Sequence, residues 1–243
     1  MSIHAFSRTE LVIGNEGLAI LQNSRIAVFG LGGVGGNAAE ALVRSGIKEL
    51  DLIDFDRVNY TNLNRQVISS LSTIGQYKTD AAEARFKSIN PDIIIHKHTC
   101  MFLPENSKDI PFSSFDYIID AIDNVTAKIE LIKQAQAHHV PIICSMGCGN
   151  RLDPSRLTIT DIYKTSGDPL ARIMRQQCRK NHIKKLTVIT SSEQPVKPSK
   201  EMIAAMNQPG KKVLGSTAFV PSVAGITAAS YVVRELIKNN EKN

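Results

Sequence analysis

The chain has 243 residues, four cysteines and a formal net charge of +6 at pH 7. This length suits one large α/β domain or two small ones, and it is sufficient to bury a substantial core. Four cysteines without C-x-x-C pairs exclude a disulfide scaffold and a structural zinc knuckle, and the first residues lack the apolar run of a secretory signal, so we expect a cytoplasmic enzyme.

Apolar strands and helical patterns alternate over the first 150 residues, whereas residues 56–77 are largely irregular. Helices are predicted over residues 8–22, 34–45, 78–89 and 125–139, and strands over 26–30, 49–54, 93–95, 115–124 and 141–145. The strands are continuously apolar, which indicates a doubly wound, mostly parallel, Rossmann-like α/β sheet covered on both faces. Ligands of such sheets bind at the carboxyl ends of the strands, where Gly30, Asp54, Asp123 and Ser145 are expected.

Residues 151–212 differ in pattern and in charge from the part that precedes them. They carry a net charge of +8, whereas residues 1–150 carry −3. The predicted elements are strands over 157–161 and 186–190, a basic helix over 168–182, a polar loop over 191–212 and a last helix over 216–238. Basic surfaces attract polyanions, nucleic acid first among them, although a lysine-rich run is as often a solvated surface.

The segment from Val213 to Val233 contains no charged residue, so it has to be compared with a membrane span. It includes Gly215, Pro221, Gly225 and several serines and threonines, which make it only moderately apolar. A buried helix that packs on the sheet is therefore favoured over a transmembrane helix.

A glycine-rich turn, Gly30-Leu-Gly32-Gly33-Val-Gly35, joins the first strand to the next helix. Such a turn brings backbone N–H groups close to a phosphate at the N-terminus of the helix. Asp54 follows Gly35 by 19 residues, at the end of the next apolar run, where a carboxylate can accept hydrogen bonds from ribose hydroxyls. By themselves these features fit a dinucleotide-binding dehydrogenase equally well.

Two cations, Arg65 and Lys78, follow in a polar segment that also holds Asn62 and Gln66. A triphosphate carries more charge than a dinucleotide diphosphate, and transfer chemistry at phosphorus relies on cations placed where charge develops. We therefore predict a nucleotide triphosphate site, with Asn62 slightly favoured over Gln66 as a further ligand. The alternative is that both cations are ordinary solvated side chains.

Asp123 ends a strand on the side where the phosphates are expected. A carboxylate there suits Mg²⁺, which keeps several waters and takes one or two protein oxygens. Asp123 can equally cap the following helix, a role that Asn124 can take instead. Asp56 is expected to support the loop, and Arg8, at the start of the first helix, can reach a triphosphate site in the same chain or in a second subunit.

Two cysteines, Cys144 and Cys148, lie near the predicted site at the end of a strand. A nucleophilic or sulfur-carrying cysteine at this position is conceivable, but a small buried residue is the commoner case. We predict that no cysteine, Cys178 included, is required for catalysis.

Five separate motifs match one known family in order and spacing. They are Gly30–Gly35, Asp54-Phe-Asp56, Asn62-Leu-Asn-Arg65-Gln66, Lys78 and Asp120-Ala-Ile-Asp123-Asn124. The chain thereby resembles the ubiquitin-activating, ThiF/MoeB/HesA superfamily of adenylating enzymes over at least residues 8–150, and residues 215–236 resemble its closing helix. The resemblance implies one adenylating domain over residues 1–243, with a nucleotide-binding part (1–150) and a basic, substrate-facing part with the closing helix (151–243).

The same resemblance implies ATP and Mg²⁺ as cofactors, together with a monovalent cation whose ligands have no assigned position here. The nucleotide contacts of the family carry over to Gly32 and Gly35 at the turn, Asp54 on the ribose, and Asn62, Arg65 and Lys78 on the phosphates. Asp123 carries over as the acid linked to Mg²⁺. Arg8 corresponds to the arginine that reaches the site of the neighbouring subunit, which implies a homodimer.

Within the superfamily, the chain most resembles the enzymes that dehydrate threonylcarbamoyladenosine in tRNA. Residues 147–161, 164–170 and 188–198 carry this resemblance, and the zinc cysteine pairs of many sulfur-carrier adenylyltransferases are absent from the sequence. It implies that ATP adenylates the carboxylate of the modified nucleoside, and that the ureido nitrogen then displaces AMP and closes a ring with net loss of water. A sulfur-relay protein is a further partner that the sequence leaves open.

Three other functions stay open at this point. An adenylyltransferase for the C-terminal glycine of a ubiquitin-like sulfur carrier would share the ATP site and differ in its partner. A redox enzyme would bind NAD at the glycine turn, although Arg65 and Lys78 argue against it. A non-catalytic tRNA-binding module would retain the nucleotide fold without turnover.

Overall fold

The structure is a computed structural model that describes residues 3–205 and 214–240. The α-helices in these ranges are α1 (Ser7–Leu21), α2 (Gly35–Ser45), α3 (Lys78–Ile89), α4 (Val125–Ala137), α5 (Pro169–Lys180), α6 (Lys200–Ala205) and α7 (Phe219–Asn240). The strands are β1 (Arg25–Phe29), β2 (Glu49–Ile53), β3 (Ile94–His98), β4 (Tyr117–Asp120), β5 (Ile142–Ser145), β6 (Leu157–Asp161) and β7 (Thr187–Ser191).

The strands form one sheet in the order β3-β2-β1-β4-β5-β7-β6. Neighbouring strands are parallel, except that β6 runs antiparallel to β7. The strand order reverses direction between β1 and β4, and a crevice opens at the carboxyl ends of the strands at such a point. The predicted doubly wound, mostly parallel α/β sheet is confirmed.

Apolar layers cover both faces of the sheet. On one face, α2 and α7 pack over Val28, Leu50 and Ile119. The other face carries Phe29 and Ile118 and is covered by α4 and the aromatic side chains of the segment after β3. Each fully buried side chain of this size contributes about 1.5–3 kcal/mol. The sheet is therefore held rigidly, and its carboxyl edge presents the loops that carry the predicted site.

The last helix lies directly on the helix that follows the glycine turn. A Cβ at Gly225 of α7 would lie 2.2 Å from the carbonyl oxygen of Val34, so the two helices touch through backbone at this point. Over the described ranges, no helix is long and apolar enough to cross a membrane. The prediction that residues 216–238 form a buried helix on the sheet is confirmed over the part of the helix that begins at Phe219.

Two predicted elements, the third strand and the first helix, differ from the structure. The predicted strand over 93–95 extends to His98, because polar cross-strand pairs that an apolar pattern does not reveal stabilise this edge strand. His96 Nε2 lies 2.6 Å from Glu49 Oε1, and His98 Nε2 lies 2.7 Å from Asp51 Oδ1. The first helix is kinked at Gly14, where φ is +75°.

The predicted loop over 191–212 is wrong at both places where the structure describes secondary structure. Ser191 pairs with Leu157 as the last residue of β7, and residues 200–205 form α6. The hydroxyl of Ser199 accepts a hydrogen bond from Met202 N at 3.2 Å, which satisfies one free amide at the start of α6. Residues 206–212 lie outside the described residues.

Candidate nucleotide-binding site

A cavity of about 350 Å³ lies at the carboxyl ends of β1, β2 and β4, within the size range of small-molecule sites. All of the predicted site residues line it except Gly35 and Arg8. The lining comprises Gly30, Gly32, Gly33, Ile53, Asp54, Phe55, Asp56, Asn62, Arg65, Gln66, Lys78, Cys100, Met101, Phe102, Ile122, Asp123, Asn124 and Ala127.

The glycine turn is shaped by two positions that admit no side chain. Gly30 has φ of +87°, and a Cβ there would lie 2.7 Å from the carbonyl oxygen of Ala121. A Cβ at Gly35 would lie 1.7 Å from the carbonyl oxygen of Gly30, whereas a Cβ at Gly32 would meet nothing within 4 Å. Gly35 therefore packs α2 against the turn from behind the cavity, and its contact with a nucleotide stays a prediction.

Asp54 fixes the glycine turn to the end of β2. Its Oδ2 accepts a hydrogen bond from Leu31 N at 2.6 Å, and its Oδ1 accepts one from Asp56 N at 2.8 Å. Burial raises the pKa of Asp54, and the charge of Lys78 and the two backbone donors offset only part of this effect. The carboxylate is thus held rigidly at the cavity wall, at the position predicted for ribose binding.

Lys78 is buried against two carboxylates. Its Nζ lies 2.7 Å from Asp56 Oδ2 and 3.6 Å from Asp54 Oδ2, and its side chain is only 7% exposed. The backbone N–H of Lys78 also donates to the carbonyl oxygen of Asp56 at 3.0 Å. Asp56 therefore supports the loop and places the ammonium group at the cavity wall.

Arg65 reaches the cavity from the irregular segment after β2. Its Nη1 donates to Thr61 O and to Asn64 Oδ1, both at 2.9 Å. Partial burial lowers the pKa of Arg65, but a guanidinium group stays protonated in proteins. These two contacts hold the side chain on the side away from the cavity, so the guanidinium group is already oriented to bind an anion there.

The two amide side chains of this segment, Asn62 and Gln66, differ in their hydrogen bonds. Asn62 Oδ1 accepts a hydrogen bond from Asn59 N at 2.9 Å and so caps the short 3₁₀ turn Tyr60–Asn62. Gln66 is 6% exposed, and its Oε1 has no hydrogen-bond partner among residues 3–205 and 214–240. Both side chains line the cavity, so Gln66 joins Asn62 as a candidate ligand.

Asp123 is exposed at the cavity, and Asn124 takes the capping role at α4. Asn124 Oδ1 accepts a hydrogen bond from Ala127 N at 3.0 Å, which leaves the carboxylate of Asp123 available. The described part of the chain holds no cluster of three or more His, Cys, Asp or Glu that could bind a metal ion. Mg²⁺ needs few protein oxygens when phosphates and waters complete its shell, so the free carboxylate of Asp123 fits it.

Asp120 and Lys128 hold the loop that carries Asp123. Lys128 Nζ lies 2.9 Å from Asp120 Oδ2 and donates to Ser145 O at 2.9 Å, and both ionised side chains are completely buried. Asp120 Oδ1 accepts a hydrogen bond from Ile122 N at 3.0 Å. The sequence reasoning missed Lys128, although a lysine in an apolar helical pattern four residues after Asn124 was a signal for a buried ion pair.

Arg8 is exposed on α1 and does not line the cavity of its own chain. The cysteines Cys144, Cys148 and Cys178 are all set in environments where burial raises the pKa of the thiol, for Cys178 to about 11. A raised pKa disfavours the thiolate, which is the nucleophilic form. This supports the prediction that these cysteines are not nucleophiles.

An exposed basic surface extends over α5 and the turn after it, and we call it the α5 basic surface. Its exposed members are Arg172, Arg179, Lys180, His182, Lys184 and Lys185. Arg175 is half-buried and donates to Thr165 O at 2.9 Å, so it belongs to the support of α5. Asp168 caps α5, and its carboxylate also accepts a hydrogen bond from Gly147 N in the loop after β5, so the N-terminal end of α5, with Arg172, lies near the carboxyl edge of the sheet. Lys184 and Lys185 precede β7 and lie toward the opposite edge.

Comparison with known proteins relates this geometry to one family. The model of the ThiF family matches residues 6–243. The chain belongs to the ThiF family. A relative from Bacillus subtilis (strain 168), named tRNA threonylcarbamoyladenosine dehydratase, is 42% identical over 246 residues, which cover 98% of this chain and 97% of the relative. The enzyme of the same name from Escherichia coli (strain K12) is 32% identical over 96% of this chain and 93% of its own length.

One solved structure has nearly the same fold as this chain. The crystal structure of E. coli tRNA N6-threonylcarbamoyladenosine dehydratase, TcdA, in complex with ATP superposes with a TM-score of 0.88 at 30% identity. The match covers 98% of this chain and 96% of that one. The family resemblance that the five motifs indicated is therefore confirmed for almost the whole chain.

Proposed function

We propose that this chain is an ATP-dependent tRNA threonylcarbamoyladenosine dehydratase. The observation that carries the proposal is the cavity in which Asp54, Arg65, Lys78 and Asp123 converge on the glycine turn. It occurs in a chain that is similar over nearly its full length to enzymes of this name. The reaction class is acyl activation, because a carboxylate is a poor acyl donor until its oxygen becomes part of a good leaving group.

In the proposed reaction, a carboxylate oxygen of the threonylcarbamoyl group attacks the α-phosphorus of ATP. Pyrophosphate leaves, and an acyl adenylate forms. The ureido nitrogen of the same group then attacks the acyl carbon, loses its proton, and expels AMP as the ring closes. Arg65 and Lys78 stabilise the negative charge that develops on the phosphates, and Asp54 holds the ribose.

The charges at the cavity support a requirement for further cations. Among the described lining residues, Asp54, Asp56 and Asp123 are opposed by Arg65 and Lys78, so the protein supplies one more negative than positive charge. ATP adds several negative charges. Mg²⁺ bound at Asp123 would supply positive charge beside the phosphates, and a monovalent cation near the nucleotide would add to it.

A second copy of the chain would supply another cation through Arg8. This arginine lies at the start of α1, exposed and away from its own cavity, as expected of a residue that completes the site of a neighbouring subunit. Homodimerisation therefore belongs to the proposal. A cytoplasmic location and contact with a sulfur-relay protein remain predictions of the sequence.

The α5 basic surface supports tRNA as the substrate. Its exposed arginines and lysines extend along α5 from Arg172, near the carboxyl edge of the sheet, so RNA phosphates bound along the helix would bring a modified nucleoside toward the cavity. Lys and Arg contacts to phosphates account for most of the sequence-independent affinity of proteins for nucleic acids.

The test uses purified protein, ATP, Mg²⁺ and tRNA that carries threonylcarbamoyladenosine. Digestion and mass spectrometry should show ATP-dependent loss of one water from the modified nucleoside. An unchanged mass, together with pyrophosphate exchange that depends on a ubiquitin-like sulfur carrier, would assign the ATP site to the other adenylation reaction. An unchanged mass with tRNA still bound and no exchange would indicate a non-catalytic binding module.

A further inference from the structure

Arg151 is a buried guanidinium group with unmet hydrogen-bond donors. The residue is 2% exposed, and its Nε and Nη1 have no hydrogen-bond partner among the residues that the structure describes. A guanidinium carries five N–H donors and stays charged. Leaving a buried donor unpaired is unfavourable, so a fold that retains Arg151 in this state points to an acceptor that a ligand supplies.

The one carboxylate beside Arg151 in the described ion pairs is already occupied. Asp168 Oδ1 accepts from Leu170 N and Ala171 N, and its Oδ2 accepts from Gly147 N at 3.0 Å and from the Thr190 hydroxyl at 3.3 Å. These four donors use the hydrogen-bonding capacity of a carboxylate. Arg151 Nη2 lies 3.4 Å from Asp168 Oδ2, which is close enough for an ion pair, but Arg151 forms no hydrogen bond with this oxygen.

The position of Arg151 in the sheet places it next to the nucleotide cavity. Its loop follows β5, and β5 pairs with β4 through Asp120 and Cys144. The loop after β4 carries Asp123 and lines the cavity. Lys128 ties the ends of the two strands together through Asp120 and Ser145 O. Arg151 is therefore one strand away from the phosphate end of the site, along the same edge.

We propose that Arg151 binds the carboxylate of the threonylcarbamoyl group before that carboxylate is adenylated. The inference rests on the proposed function. The cations of the cavity are committed elsewhere, because Lys78 is paired with Asp56 and Arg65 is predicted on the phosphates of ATP. Arg151 has the donors that remain, and charge-assisted hydrogen bonds to a carboxylate are among the strongest that a protein forms.

For substrate to reach these buried donors, the loop 147–151 has to open. In the structure this loop is joined to the segment before α7: Asn150 N donates to Gly215 O at 2.8 Å, and Gly215 N donates to Asn150 Oδ1 at 2.6 Å. The Thr217 hydroxyl donates to Arg151 O at 3.4 Å. Binding of the modified nucleoside exchanges some of these contacts for contacts with the substrate.

The experiment compares two tRNAs that differ only in the modification. The affinity of the full-length protein is measured with tRNA carrying threonylcarbamoyladenosine and with the same tRNA carrying unmodified adenosine, in the presence of α,β-methylene ATP and Mg²⁺, so that no adenylation occurs. The variants are Arg151→Met and the matched control Arg156→Met. Arg156 lies in the segment that leads into β6, and its side chain is 56% exposed beside Asp153.

Wild-type protein and the Arg156 variant should prefer the modified tRNA, and Arg151→Met should lose about 10- to 150-fold of that preference. Its affinity for the unmodified tRNA should stay unchanged. If Arg151→Met does not fold, as judged by thermal unfolding, Arg151→Gln carries the same comparison, because its amide can still hydrogen-bond within the loop.

Two results would overturn the proposal. One is an unchanged preference in the folded Arg151 variant, and the other is an equal loss of affinity for both tRNAs, which would show that Arg151 only supports the loop. Failure of the proposed function itself looks different, because wild-type protein would then show neither a preference for the modified tRNA nor any water loss with ATP.

Discussion

Lys128→Met is expected to lower the free energy of unfolding by about 3–5 kcal/mol, because it leaves the carboxylate of Asp120 buried without its counter-ion. The two ionised side chains are completely buried, with 2.9 Å between Lys128 Nζ and Asp120 Oδ2. The same ammonium group also donates to Ser145 O, which loses its partner in the variant. For a chain of this size, the expected loss corresponds to a fall in Tm of roughly 6–20 °C.

A double variant separates the lost ion pair from the lost packing. In Lys128→Met with Asp120→Asn, no charge remains at the site, and the asparagine oxygen can still accept from Ile122 N. The remaining cost is that of neutral groups, the carbonyl oxygen of Ser145 and the NH2 group of the asparagine, which is smaller than that of an unpaired buried charge. The double variant should therefore be more stable than Lys128→Met alone.

Urea unfolding of wild-type protein, both single variants and the double variant gives the coupling energy directly. Lys133→Met is the matched control, because Lys133 lies on the same helix with an exposed side chain and should change stability by less than about 0.5 kcal/mol. A loss of under 1 kcal/mol in Lys128→Met, or a double variant less stable than Lys128→Met, would refute the reasoning.

Three further predictions concern the site, the RNA surface and acid stability. Arg65→Ala or Lys78→Ala should abolish turnover, while circular dichroism shows that the fold is intact. Wild-type rates in either variant would contradict the assignment of that residue to the phosphates of ATP. Replacing Arg172, Arg179, Lys184 and Lys185 by glutamine should weaken tRNA binding and flatten its salt dependence by about 0.7–0.9 per lost phosphate contact, whereas an unchanged salt series would mark a merely solvated surface. Burial alone would raise the pKa of Asp51, but hydrogen bonds from His98 and Arg25 outweigh it and lower the pKa below its usual value. The stabilisation from ionised Asp51 is therefore present above the pKa of the unfolded state, about 3.9, and is lost as the pH falls through the lower pKa of the folded state. Urea unfolding between pH 2 and 6 should therefore show a smaller acid-induced fall of the midpoint in Asp51→Asn than in wild type.

The sheet and most of the cavity were predictable because they depend on patterns among residues that are close together in the sequence. Continuous apolar strands predict a buried parallel sheet, and the carboxyl ends of such strands bring Gly30, Asp54 and Asp123 together whatever lies between them. The roles of Asp123 and Asn124 stayed open in the sequence, because either side chain can cap a helix. The contact between Asn124 and Ala127 N decides the cap.

The features that the sequence did not reveal depend on long-range polar contacts. His98 belongs to β3 because Asp51 on the neighbouring strand binds it, and Lys128 is buried because Asp120 and Ser145 meet it. The unmet donors of Arg151 are visible only once Asp168 is seen to be saturated by four other donors. In each case the partner is remote in sequence or its hydrogen-bonding capacity is used elsewhere, so a local pattern does not identify the partner.

The central claim is that the substrate carboxylate is activated as an acyl adenylate, and oxygen transfer tests it most directly. The tRNA would carry ¹⁸O in the carboxylate of threonylcarbamoyladenosine and react with unlabelled ATP, after which AMP, pyrophosphate and phosphate are analysed by mass spectrometry. Attack of the carboxylate on the α-phosphorus predicts one ¹⁸O in AMP for each ring closed. Label in inorganic phosphate, or AMP formed with oxygen from water while the carboxylate retains its label, would contradict the account.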